Sequence, residues 1–328
     1  MTTNNQMGTC ALCGKENIQL MQSHLIPKAV YKRIKTFKNS RFREMDDIQK
    51  IYQDGEKKPM LCHDCEEFFS KYERDFCNTF LDKYTADKLI PSTITQNINF
   101  YLLTVSWRIL YDDLYVYDSF KERSERTAFE RLEYKIRRYL NSTHSPQQQE
   151  LIDQQLITNY ANGEPQSFGE AIAFIENIQK LQLPEDISEI KNYIFSLCEL
   201  GYTAPQIELL SHCVTGYSFS TTTKQHYCVI TSYLGWIFLT VYQPKRYIQI
   251  SLDTTPYDKS ITDIVKEETN YIIQNIVQKS ITVQKQLDET GLREKIKKRY
   301  SSQQYPFFAT HKSPTISEDV ACVAFIFC

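Results

Sequence analysis

Two cysteine pairs carry the strongest chemical signal in the chain: Cys10-Ala11-Leu12-Cys13 and Cys62-His63-Asp64-Cys65. Each pair sets two thiolates on one tight turn, and together they supply the four soft ligands of a tetrahedral structural zinc site. The long segment between the pairs then becomes a loop that the metal closes. His63, inside the second pair, is read as an exposed knuckle residue, because four thiolates already satisfy zinc. Between the pairs stands Ser23-His24-Leu25-Ile26-Pro27, which a zinc scaffold alone does not require.

The elements around this stretch must position it. After the second pair, Phe68, Phe69, Tyr72 and Phe76 form the apolar side of a helix. On that helix Glu66, Ser70 and Glu73 fall at i, i+4 and i+7, so any of them can turn toward His24. Directly beyond His24 runs a basic segment, Lys28, Lys32, Arg33, Lys35, Lys38, Arg41 and Arg43, with no acid before Glu44 and with Tyr31, Phe37 and Phe42 interleaved. Cations that neutralise phosphates beside rings that stack on bases are what a nucleic-acid contact needs. A solvated basic helix is the other reading. Asp54-Gly55 reads as a turn leading into the second cysteine pair.

The order CxxC, then SHLIP, then LCxxC opening a helix resembles the HNH, or ββα-metal, nucleases of treble-clef type whose zinc is held by four cysteines. The resemblance covers roughly residues 8–76. It implies that His24 is the general base activating water, that Ser23 is the strand ligand of a catalytic divalent ion, and that Glu66 is the helix ligand. The chain departs from the family pattern at both ligands: Ser23 stands where Asp or His is usual, and Glu66 where Asn or His is usual. The resemblance further implies a catalytic Mg2+ or Mn2+ beside the structural Zn2+, nucleic acid as substrate with DNA favoured, and a setting in bacterial restriction or anti-phage defence.

Length and composition bound the remainder. With 328 residues the chain has room for a zinc module and a second sizeable core. Its net charge of −2 advertises no polyanion partner, so any nucleic-acid contact must be local. Of ten cysteines, the six outside the zinc pairs have no regular spacing, which suits a reducing cytoplasm better than a disulfide scaffold. The opening MTTNNQMGT has no signal-peptide pattern, and the longest apolar runs are too short to cross a bilayer as helices. A soluble cytoplasmic protein with no membrane partner is expected.

Along the chain, Thr93-x-x-Gln96 opens a strongly apolar helix through Ile109, and Ser119-x-x-Glu122 opens another through Leu140. Ser167-x-x-Glu170 and Asp186-x-x-Glu189 read as the starts of two further core helices, the second carrying Ile187, Ile190, Ile194 and Leu197 and stopped by Gly201. After Pro205 the pattern changes to strands, Cys213–Ser220, Tyr227–Tyr242 bent near Gly235, and Tyr247–Leu252, an antiparallel meander. A long helix over about 260–300 follows, ending in the cluster Arg293, Lys295, Lys297, Lys298 and Arg299, and VACVAFIFC returns as one more strand beside the meander. His212 with Cys213 and His226 with Cys228 read as structural residues of strands.

The expectation is therefore an α+β protein: an HNH-like zinc module (residues 1–85), a helical region (86–202) and an α+β C-terminal region (203–328) of antiparallel sheet and helices. That last region carries no catalytic signature and is read as a recognition or regulatory part, engaging a regulatory ligand or partner protein. The function expected is a metal-dependent endonuclease with His24 as base. The alternative is a non-catalytic treble-clef module binding nucleic acid or protein.

Overall fold

The computed structural model describes residues 6–35, 42–44, 49–84, 95–120, 125–163, 189–221, 226–243, 260–291 and 325–327. These form a mixed helix and sheet architecture. A short hairpin, β1 (Met7–Gly8) and β2 (Ile18–Gln19), carries the first cysteine pair between its strands. Next come β3 (Met21–His24) and α1 (Lys28–Ile34), then β4 (Phe42–Glu44) and β5 (Ile51–Tyr52). β6 (Lys57–Leu61) pairs antiparallel with β3 and runs into α2 (His63–Phe76). Strand, strand and helix thus follow one another around the second cysteine pair.

α2 forms where expected and for the expected reason. Phe68, Phe69 and Phe76 are buried on one face, and Asp64 and Glu66 lie in the first turn, where carboxylates meet the positive end of the helix dipole. The chain continues into a π-helical turn, Cys77–Leu81. α2 packs on α3 (Gln96–Tyr115), a helix buried almost all round. Its cap is Thr95, whose side chain accepts from Ile98 N at 3.3 Å; Thr93 lies outside the described residues. Phe76 stacks on Tyr101 with ring centroids 3.8 Å apart, and Phe69 meets Trp107 edge to face. α4 (Arg126–His144) and α5 (Pro146–Ala161) follow; the Ser119–Glu122 start of α4 is replaced by one four residues beyond Glu122.

Residues 190–196 correct one expectation. In place of a helix they form β7 (Ile190–Ser196), antiparallel to the strand Trp236–Tyr242. Ile190 and Ile194 fit i, i+4 spacing, but they also fit i, i+4 on one face of a strand, and Tyr193 and Phe195 supply the other face. With apolar residues needed on both sides, the two-residue period wins. The helix read from Ser167 lies outside the described residues.

α6 (Ala204–Ser211), capped by Thr203 and Gln206, leads into the meander β8 (Cys213–Ser220), β9 (Tyr227–Tyr233) and β10 (Trp236–Tyr242). The bend near Gly235 is a tight hairpin in which Leu234 and Gly235 both have positive φ. α7 (Ile261–Glu289) is capped by Ser260, and β11 (Phe325–Phe327) closes the order. Tyr247–Leu252 and the cluster Arg293–Arg299 are outside the described residues.

The main sheet has seven strands in the order β5-β4-β11-β8-β9-β10-β7, with β11 parallel to both neighbours and the other pairs antiparallel. Alternation along β10 sorts its two faces. Trp236, Phe238 and Tyr242 join the larger apolar cluster with α2 and α3, while Ile237, Leu239 and Val241 join a second cluster with Val265, Ile272 and Ile276 of α7. The larger cluster runs without interruption from Cys10 through Trp107 to Tyr242.

Candidate functional site

The four cysteines converge. Among the described residues, Cys10, Cys13, Cys62 and Cys65 form the only group of three or more His, Cys, Asp or Glu placed to hold a metal ion: all four are buried, with sulfurs within 4.8 Å of one another. The chain builds this locally. Gly14 N donates to Cys10 O and Cys10 N to Lys15 O, both at 2.9 Å, closing the first turn, and Gly14 takes the left-handed φ of +70° that the turn needs. Ala11 N donates to Met60 O, tying the turn to β6. Cys62 is the N-cap of α2, with its N–H 3.3 Å from Cys10 Sγ, and Cys65 sits one turn in. Four thiolates 2.3 Å from a tetrahedral zinc stand roughly 3.8 Å apart, and Cys13 and Cys62 are separated by 3.8 Å. The donor set fits a structural zinc. His63 is exposed and stands outside this set.

His24 ends β3, opposite Lys57 on β6, and Ser23 lies opposite Lys58. A register shift between Met21 and Gln22 bends the strand just before them. Ser23 is fully buried and donates through Oγ to Glu66 Oε2 at 2.7 Å, joining strand to helix. The His24 ring faces the loop before β6: its Nε2 is buried, without a hydrogen-bond partner, and 3.7 Å from Asp54 Oδ2. Asp54 is held by Lys57 (2.6 Å) and Lys28 (2.9 Å). Burial tends to raise its pKa, but the two ammonium groups outweigh that and hold it down at about 2. Burial first, and then the Lys57 charge, push the His24 imidazole down to about 4 against the opposing pull of Asp54, so the ring is neutral at pH 7.

Arg108 of α3 reaches the same place from behind. Fully buried, it donates to His24 O at 2.6 Å, to Glu73 Oε1 at 2.6 Å and to Thr104 O at 3.3 Å, with its guanidinium 5.2 Å over the Phe69 ring. Ser23 and Glu66 are thus brought together as a bonded pair, and Glu73 is linked to His24 through Arg108. His24, Glu66 and Glu73 do not themselves form a three-residue metal group.

The basic segment is only partly free to meet a ligand. Lys28 is bonded to Asp54, and Arg33 to Asp82 at 2.5 Å and to Ala29 O. Arg43 is buried in β4, and Lys35 lies 5.9 Å over the Phe42 ring. Lys32 is exposed. Lys38 and Arg41 lie outside the described residues. In the sheet, Cys213 and Cys228 are buried and burial pushes both thiols up, Cys213 to about 12, which fits packing and not nucleophilic chemistry.

Neither Asp54 nor Arg108 carries a site assignment from its sequence pattern. The signal for Arg108 is a single arginine inside the apolar run from Ile98 to Leu110, since an ionised residue is rarely buried without a partner. Asp54 had a turn residue's explanation and gave no further signal. No helix among the described residues is long and apolar enough to cross a membrane. Comparison with protein-family models, curated proteins and solved structures gives no significant match, so the geometry above carries the functional argument.

Proposed function

We propose that the chain is a metal-dependent endonuclease of HNH type, cutting phosphodiester bonds with His24 as the general base. The observation that carries the reading is the arrangement around β3: a neutral imidazole at the strand end, next to a Ser23–Glu66 pair bridging strand and helix, on a frame clamped by four cysteines. His24 takes a proton from water as that oxygen bonds to phosphorus; the bond from phosphorus to the leaving sugar oxygen breaks, and that oxygen takes a proton from solvent. Glu66, with the Ser23 hydroxyl, is the pair that would hold Mg2+ or Mn2+, which tolerates several water ligands. When bound there, the ion supplies polarisation of the phosphate and stabilises the leaving oxygen. Lys32 and the segment beyond it would guide the backbone, with DNA the favoured substrate.

A second reading has its own support. Because His24, Glu66 and Glu73 form no three-residue metal group, the same frame suits a zinc-held module that binds nucleic acid or protein without cutting it. Cleavage of plasmid DNA and of RNA with Mg2+ or Mn2+ separates the two. Wild type should cut, and His24→Ala and Glu66→Ala, with zinc content intact, should lose about two to four orders of magnitude. A wild type that binds nucleic acid but leaves it whole favours the binding module, and cutting that survives His24→Ala removes His24 from the mechanism.

A further inference from the structure

Exposed large apolar side chains among the described residues are mostly scattered singly, as at Met7, Leu151 and Val277, and isolated cases of that kind are ordinary. The end of α3 differs. Tyr115, Val116 and Tyr117 follow one another there, exposed by 42%, 52% and 49%, directly after a helix that is buried almost all round. The backbone of this tip is closed by its own hydrogen bonds. Val116 N and Tyr117 N both donate to Asp112 O, and Ser119 N donates to Asp113 O at 2.8 Å across Asp118, which takes the left-handed φ of 52°. Side chains hold it further. Tyr117 OH donates to Glu56 Oε1 at 3.0 Å, and Lys58, bonded to the buried Asp112 carboxylate, lies 4.0 Å from the centre of the Tyr117 ring. Asp118 is bonded to Arg126, and Tyr115 lies 5.0 Å from Tyr111 in a series of rings that begins at Trp107. Exposed rings fixed in this way lose little freedom when a ligand settles on them, which is what a binding anchor requires.

The size and setting of the tip select its occupant. Two half-exposed tyrosines and a valine offer about 300 Å², whereas a stable protein contact takes about 800 Å² from each partner. One or two nucleobases suit the smaller area. The acids around the tip are each matched: Glu56 and Asp112 by Lys58, Asp118 by Arg126, and Asp113 by the Ser218 N–H. The tip therefore offers flat aromatic faces, which take a base, and not a row of cations, which would take phosphate. It also adjoins the candidate site. Glu56, which holds Tyr117, accepts through its carbonyl the N–H of Leu25, the residue after His24.

We infer that Tyr115 and Tyr117 form a stacking platform for an unpaired base, so that the chain engages single-stranded nucleic acid in preference to an intact duplex. Bases inside a duplex hide their faces in the stack, and only an unstacked base can lie on a protruding ring. Every base has a π-face, so the platform is indifferent to sequence. The inference rests on the nucleic-acid reading of the site, in its cutting or its binding form, and names the strand state that this reading leaves open.

The test uses the zinc-loaded full chain and a short oligonucleotide carrying 2-aminopurine, whose fluorescence falls when it stacks, both as a single strand and annealed in a duplex. Mg2+ and Mn2+ are left out so that nothing is cut. Wild type should bind the single strand more tightly and quench it. Tyr117→Phe keeps the ring and gives up only the bond to Glu56, so it should still quench. Tyr115→Leu and Tyr117→Leu keep apolar bulk without a flat face; each should weaken single-strand binding about 5- to 100-fold, reduce the quenching, and leave duplex binding within about twofold. If Tyr117→Leu loses zinc, Tyr115→Leu, which leaves the Tyr117 bond to Glu56 in place, carries the test alone. Unchanged single-strand affinity in the Leu variants, binding without quenching, or an equal loss for single strand and duplex overturns the inference. A wild type that does not bind single strands overturns it too; if that protein sediments as a dimer that Tyr115→Leu takes apart, the tip is a contact between copies. Cleavage assays keep the two claims apart. A wild type that holds single strands through these tyrosines yet never cuts DNA or RNA rejects the nuclease and upholds the platform. A wild type that cuts duplex DNA, at a rate unchanged in both Leu variants and without quenching, does the reverse.

Discussion

Arg108 is the residue on which the two sides of the site meet. Its planar fork satisfies a strand-end carbonyl, a helix carboxylate and a carbonyl of its own helix at once, which explains how a guanidinium survives with no exposure. Removing it strands Glu73 and leaves the His24 carbonyl unpaired, so Arg108→Ala should destabilise by about 3–5 kcal/mol, read from denaturant unfolding of the zinc-loaded protein. Arg108→Lys should recover only part of this, because one ammonium cannot match three acceptors set for a fork. A loss under about 1 kcal/mol for Arg108→Ala would mean that the ion pair contributes little beyond its own desolvation. Arginine in an apolar run is legible in sequence as an anomaly; which carbonyl it answers is not.

At the scale of elements, the loop before β6 and the end of α3 carry the tests. Gly55 occupies the left-handed region against the Tyr31 ring, so Gly55→Ala meets both backbone strain and a collision, and should cost about 3 kcal/mol or more in thermal or denaturant unfolding. A near-neutral result would show that the Asp54 loop is free to shift. On α3, burial pushes Asp113 up to about 6 despite the Ser218 N–H donated to it at 2.8 Å. Its ordinary value is about 3.8, so between pH 4 and 6 the folded chain binds more protons than the unfolded one, and this group's contribution to stability falls as pH rises. Asp113→Asn does not titrate and keeps an acceptor for Ser218. Its stability relative to wild type should therefore improve from pH 4 to pH 7 by up to about 3 kcal/mol, and a flat difference would contradict the shifted carboxyl.

At the scale of the molecule, the zinc frame shares its core with the rest of the chain. Trp107 and Trp236 lie in the same buried cluster as Cys10, Cys62 and Cys65. Release of zinc and loss of buried tryptophan fluorescence should therefore show one midpoint in denaturant, whereas a zinc frame that melts on its own would give two. The sheet supports the same expectation, since β11 joins the β4–β5 hairpin from the first part of the chain to the meander from the last. The region read as a separate recognition part from residue 203 thus packs directly on the helix that anchors His24.

Much was legible before any fold was known, wherever the relevant force acts over a few residues. CxxC spacing brings thiolates together by turn geometry, and Phe68, Phe69, Tyr72 and Phe76 make a helix face by period alone. The alternating runs at Cys213–Ser220 and Tyr227–Tyr242 are a meander for the same reason, and Gly235 marks its hairpin. The tertiary structure decided what depends on distant partners. Residues 190–196 became a strand because β10 offered an edge and two apolar layers needed filling. Lys28 and Arg33 were drawn into ion pairs with Asp54 and Asp82. Asp54 and Arg108 stand beside His24 partly through partners tens of positions away in the chain, Lys28 for Asp54 and Glu73 for Arg108, which no local spacing records.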